Sequence, residues 1–219
     1  MRRVVLLGLI LAGTGCNDGA PAGPSGAAMR FFVTSTTSIT GDLGGLAGAD
    51  VTCQRLATAA GFGGRTTWRA YLSVEHDQTN GNRPTHARDR IGLGPWFNAN
   101  GLLVAESIAQ LHARSGDADV FVDEYGRKIN GQWSGSPGPT EHDILTGSNA
   151  DGTLAPGMTC EDWTSRSAAS AAQVGHSDGL GPNQSATGAL ASWNSAHANQ
   201  SCANTAPRGG AGRFYCFAR

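Results

Sequence analysis

Charge is scarce in this chain, and neither sign predominates. Only 15% of its 219 residues are charged, and sixteen Lys+Arg against seventeen Asp+Glu leave a formal charge of -1. That excludes the basic stripe with which a protein meets nucleic acid. Apolar runs of bilayer length are missing from the opening segment: residues 4–12 are apolar, far short of the roughly 20 residues that a spanning helix needs. No CxxC pair occurs, which removes the usual thiolate frame of a structural zinc site, and no metal ligands are expected. No Asp or Glu follows Asp178, so a late nucleophile would have no acid after it in the chain.

What is abundant points to a compact, loop-rich fold. Glycine numbers 32, while five Trp and seven Phe supply a core for one domain plus a leader. Arg2 and Arg3, the apolar residues 4–12 and the small residues before Cys16 form an export signal over residues 1–15. A cysteine directly after the small residues resembles the bacterial lipoprotein signal, in which Cys16 is acylated; Gly13 departs from it where leucine is usual. Residues 16–29, rich in Gly, Pro and Ala, read as a flexible tether, and residues 30–219 as the folded domain. Assigning Cys16 to lipid leaves Cys53, Cys160, Cys202 and Cys216, an even set for an oxidising compartment. Their spacing permits three pairings and chooses none.

The pattern along the domain is α+β. Residues 30–35 (RFFVTS) read as a strand. Ala49, Cys53, Leu56, Ala57 and Ala60 share one helical face, with Asp50 in the first turn and Gly61 as cap. Trp68, Ala70 and Leu72 alternate with Arg69 and Tyr71 as a strand. Two short strands flank the Asn-Gly of GPWFNANGLLVA, Ser107 caps a short helix ending near Ala113, and residues 120–129 read as strand, turn and strand. RFYCFA closes the chain as an aromatic strand.

Three blocks together carry a resemblance: GADVTCQRLATAAGFGGRTTWRAYLS, then ILTGSNADG followed by CEDWTS, then the closing C…RFYCF. With PWFNANGLLVAESIAQL between them, they are similar, over about residues 30–219, to the endostatin domain of collagen and its bacterial endostatin-like lipoprotein relatives. The resemblance implies a C-type-lectin-like single domain with two short helices, a mixed antiparallel sheet, long loops and two nested disulfides. It also implies the pairings Cys53–Cys216 and Cys160–Cys202, worth at most about 5 and about 4 kcal/mol in the loop-entropy model.

Each chemical motif has a plainer counterpart. Gly175-His176-Ser177-Asp178-Gly179 matches the G-x-S-x-G nucleophile elbow, with His197 as base, yet Gly181-Pro182 forbids the helix that the elbow opens. A glycine-bracketed surface loop is the expectation. The tripeptides Glu75-His76-Asp77 and Glu141-His142-Asp143 are expected as solvated polar loops, because adjacent side chains in an extended chain diverge. The histidine cluster that binds zinc at the start of mammalian endostatin has no counterpart, since no His precedes His76. Asn149 and Asp151, in SNADG, are oxygen donors that a calcium ion would use. Trp193-Asn194-Ser195 resembles the Trp-Asn-Asp of calcium-dependent lectins with serine in place of the carboxylate; Trp163 and Trp193 are expected in the core. Arg83, Arg88 and Arg90 are the densest basic cluster, diluted by Asp89.

Together these readings describe a non-catalytic, adhesin-like module, lipid-anchored through Cys16 at the cell envelope, on the outer membrane or cell surface. Its ligand is an extracellular matrix-type protein or glycan, met through the loops of residues 131–181, with Asn149, Asp151, Trp193 and Asn194 as contact candidates. No cofactor is assigned, calcium being the ion the loops suggest. The alternatives are a secreted serine hydrolase using Ser177 and His197, and a purely structural envelope protein.

Overall fold

The computed structural model of the chain describes residues 28–64 and 66–219. The export signal and nearly all of the tether, with the lipidation candidate Cys16, lie outside the described residues. In chain order the elements are β1 (Phe31–Val33), α1 (Gly45–Ala59), β2 (Trp68–Ala70), β3 (Val74–Asp77), β4 (Arg83–Thr85), β5 (Trp96–Phe97), β6 (Leu103–Ala105), α2 (Ile108–Ala113), β7 (Asp143–Leu145), β8 (Gln173–His176), β9 (His197–Ala198) and β10 (Gly210–Ala218). The fold is mixed α+β, with few helices and much irregular chain.

The sheet is organised on β10. β1 runs antiparallel along one part of it, β2 pairs antiparallel with its end, and β7 pairs parallel with its beginning. β8 and β9 extend the sheet antiparallel from β7. Side chains alternate across β10, and both faces are apolar. Phe214, Cys216 and Ala218 join one core with Phe32, Trp68 and Leu145. Tyr215 and Phe217 join a second, aromatic core with Phe31, Tyr71, Phe121 and Trp193. α1 covers the first face with Ala49, Cys53, Leu56 and Ala57, the apolar stripe legible in the sequence. Among the described residues no helix is long and apolar enough to cross a membrane.

The end of α1 follows its sequence. Gly61 takes φ 88°, and the N–H groups of Gly61 and Phe62 donate to the carbonyls of Thr58 and Ala57, closing a Schellman motif. Asp50 is not in the first turn as expected, because the helix already begins at Gly45. Its carboxylate instead accepts from the Ala70 N–H at 2.9 Å, from Arg69 at 2.6 Å and from Arg90 at 2.8 Å, tying α1 to β2. That also dissolves the basic cluster: Arg90 is turned inward, Arg88 faces Asp89 and Asp151, and Arg83 is bonded to Asn80.

Both disulfides pair as the resemblance implies. Cys53–Cys216 bolts α1 to β10, and Cys160–Cys202 joins two loops beside it. Cys160, Glu161, Asp162 and Trp163 all hold φ between 47° and 66°, a left-handed turn of four non-glycine residues. Each such residue costs about 1–2 kcal/mol, so the turn must be held from outside. The Trp163 Nε1–H donates to the Ser73 carbonyl, and the Asp162 carboxylate accepts from the Glu75 and His76 backbone N–H groups. Residues 120–129, expected as strand-turn-strand, make only isolated bridges: Val122 to Lys128, and Val33 to Asp123.

A candidate metal centre

The far end of the sheet carries chemistry where the rest carries core. β7 and β8 pair so that Asp143 lies directly opposite His176, and Leu145 opposite Val174. Directly opposed residues share a face. Leu145 and Val174 belong to the α1-side core, so Asp143 and His176 continue that face beyond its apolar end. β9 adds His197, which is paired with Val174 and so is a diagonal neighbour of His176. His142 enters from the residue before β7.

Burial overturns two expectations here. Glu141-His142-Asp143 is not a solvated loop: Asp143 begins a central strand, and His142 and Asp143 are 4% and 2% exposed. Nor is Gly175-His176-Ser177-Asp178-Gly179 a surface loop, because His176 ends β8 and Ser177 and Asp178 are buried.

The hydrogen bonds determine which ring nitrogens are free. His176 Nδ1 lies 2.9 Å from the Leu190 carbonyl and His197 Nδ1 2.9 Å from the Ala198 carbonyl. A carbonyl only accepts, so each Nδ1 carries a proton, and in the neutral ring each Nε2 keeps a lone pair. His142 Nδ1 donates to Asp178 Oδ1 at 2.7 Å, leaving its Nε2 free in the same way. Burial opposes the charge on Asp178, but the hydrogen bond from His142, together with the N–H groups of Gln132 and Leu180, holds its pKa below the usual carboxylate value.

Those three Nε2 atoms converge on one carboxylate. Asp143 Oδ1 is 3.4 Å from His142 Nε2, 3.3 Å from His176 Nε2 and 3.6 Å from His197 Nε2. Neither Asp143 oxygen has a hydrogen-bond partner, although both are buried. His176 Nε2 and His197 Nε2 face each other at 2.9 Å, a spacing that requires a proton or a metal ion between them. The His142 and His176 rings stack with centroids 4.2 Å apart. Ligand atoms of His142, Asp143 and His176 all fall within 4.8 Å of one another.

This donor set fits a transition metal ion of the zinc class. Bonds of about 2.0–2.1 Å in a tetrahedron place ligand atoms about 3.3–3.4 Å apart, close to the 3.4 and 3.3 Å of Asp143 Oδ1 from His142 and His176, whereas the 2.9 Å between His176 and His197 is too short for both to bind without a shift of His197. Imidazole donors exclude calcium, which takes oxygen. Each histidine is also oriented by a partner on its other nitrogen, as metal-bound imidazoles usually are. The three histidines line a cleft of about 550 Å³, shared with Gln132, Thr140 and Arg208.

The earlier contact candidates lie elsewhere. Trp193 is fully buried in the aromatic core, and its Nε1–H donates to the Leu111 carbonyl. The Asn194 amide is buried and donates to the Tyr71 hydroxyl and the Asn149 carbonyl. Asn149 and Asp151 sit on an exposed turn, where the Asp151 carboxylate accepts from the Thr153 N–H and hydroxyl and faces Arg88. Ser177 is buried beside the cluster, but both nitrogens of His197 are directed to Ala198 and His176. No protein-family model matches the chain, and no curated protein is similar enough to count as a relative.

Proposed function

We propose that the domain is a metal-dependent, non-catalytic binding module, in which His142, Asp143, His176 and His197 hold a zinc-class ion at the base of the cleft. The observation that carries this reading is the buried Asp143 carboxylate, without a hydrogen-bond partner at either oxygen and faced by three imidazole Nε2 atoms. Leaving such a group unsatisfied is costly, and a divalent cation held by His142, Asp143 and His176, with His197 beside it, satisfies it. The cluster lies within and just beyond the loops of residues 131–181, where ligand contact is expected from the sequence.

The wider assignment rests on sequence. The resemblance to endostatin-like lipoproteins, supported by the α+β architecture and the two disulfides, favours a C-type-lectin-like fold. The export signal and Cys16 favour a lipid-anchored position at the cell envelope, where an extracellular protein or glycan would be met. Isothermal titration of Zn²⁺ into chelator-treated protein tests the centre. One equivalent should bind to the native chain and none with comparable affinity to His176→Ala; a native chain that takes up no zinc refutes the reading. Cys16→Ser tests the anchor: protein retained in the membrane fraction would refute it.

A further inference from the structure

We infer that the partner class met by this centre is a peptide C-terminal carboxylate, held between the ion and Arg208; the inference rests on the metal reading above. Three features of the cleft support it. The first is charge. A doubly positive ion is offset by Asp143, its ligand, and by Asp178, the buried partner of His142, which leaves the Arg208 charge unmatched. Arg208 is exposed on the cleft wall, and among the described residues no carboxylate lies within 4 Å of it. Its guanidinium is placed against the Ala198 carbonyl at 3.5 Å, a contact too long to occupy it. A single negative charge therefore completes the site, whereas a dianionic phosphate exceeds it.

The second feature is the donor inventory. Besides the histidines and Arg208, the lining offers the Gln132 amide and Thr140 hydroxyl and no acidic side chain, so an acceptor-only group meets no like charge there. The third is shape. Pro182 and Leu190 form an apolar wall beside the imidazoles, suited to an apolar side chain next to the carboxylate and not to the hydroxyls of a sugar acid. A carboxylate oxygen is an ordinary zinc ligand, and a four-ligand site can expand to five. Arg208 then provides the bidentate geometry that carboxylates favour.

Cobalt(II) substitution in the full chain tests this and separates the two readings. Four-coordinate Co²⁺ in an imidazole-carboxylate site gives strong visible bands, which weaken when a fifth ligand adds. Absence of any protein-dependent cobalt band would overturn the metal reading, and this inference with it. With the band present, N-acetyl-L-leucine should weaken it saturably. Arg208→Ala should leave the anion-free spectrum in place and lower the acetyl-leucine affinity about tenfold, the size of one charge-assisted hydrogen bond; Arg208→Lys should recover part of it. A spectrum unmoved by acetyl-leucine, or equal affinity in Arg208→Ala, overturns the carboxylate site while leaving the metal centre intact. Tighter binding of glucuronate overturns the peptide assignment, and tighter binding of inorganic phosphate overturns the carboxylate.

Discussion

Replacing Asp143 by Asn separates a metal ligand from a structural polar residue. The two side chains are nearly isosteric, so packing against β8 is preserved. In the metal-free protein the native carboxylate is 2% exposed, and neither oxygen receives a hydrogen bond. The amide carries no charge to desolvate and can donate to one of the three facing Nε2 lone pairs. Relieving one unsatisfied buried group is worth about 1–3 kcal/mol. Each kcal/mol moves the melting temperature of a domain of this size by about 2–4 °C. Metal-free Asp143→Asn should therefore melt at least about 2 °C above the metal-free native protein. Zinc at a hundred times its dissociation constant stabilises by about 2.7 kcal/mol, so the native protein should gain about 5–11 °C. The variant, without the one anionic ligand, should lose that gain at the same zinc concentration. Differential scanning calorimetry with and without chelator reads all four states. If the variant melts lower without metal and still responds fully to zinc, Asp143 supports the fold and is not a ligand.

Three further outcomes follow from the same contacts. Asp178→Ala removes the acceptor that sets the His142 tautomer, and should weaken zinc binding about 10- to 100-fold by titration calorimetry while the ligands themselves remain; unchanged affinity would show that His142 does not ligate. Asp50→Ala strands Arg90, whose side chain is only 10% exposed and donates two bonds to that carboxylate, so urea denaturation should show a loss of about 3–5 kcal/mol. A loss under 1 kcal/mol would mean that Arg90 escapes to solvent. Gly175→Ala should prevent native folding, because the added Cβ would lie 1.9 Å from the Trp193 carbonyl oxygen, where β8 passes the chain leading to β9. A soluble variant that still binds zinc natively would refute that close approach.

The frame of the fold was readable because its signals are local or repeated. The α1 stripe, Gly61 and the Ser107 cap each depend on a few neighbouring residues, and the structure places them as expected, with the Ser107 hydroxyl accepting the Gln110 N–H. β10 announced itself as aromatic, but the period of its pattern did not show that both faces are buried. The reading failed where tertiary contact outweighs local preference. Asp50 has the residue type of a helix start, yet two arginines and a backbone N–H from other elements determine its place. The left-handed turn at Cys160–Trp163 has little sequence mark, since Asp162 is its one residue of a type that visits that region.

The candidate metal centre was hidden for a related reason. Its four donors are spread from His142 to His197, with no i,i+4 pair of histidines and no CxxC, so no motif of fixed spacing can report them. What gathers them is register. Asp143 meets His176 because Ile144 pairs with Gly175 and Leu145 with Val174; His197 joins because Val174 pairs with it. A slip of one residue between β7 and β8 would turn His176 to the opposite face and put a glycine or serine across from Asp143. The apolar pairs hold that register: Leu145 and Val174 are buried in the α1-side core, and Ile144 faces the aromatic core with only glycine opposite it. Core residues of β7 and β8, strands in a stretch whose sequence reads as polar loops, therefore position the site. The pairing that brings His142 and Asp143 together with His176 and His197 exists only between strands.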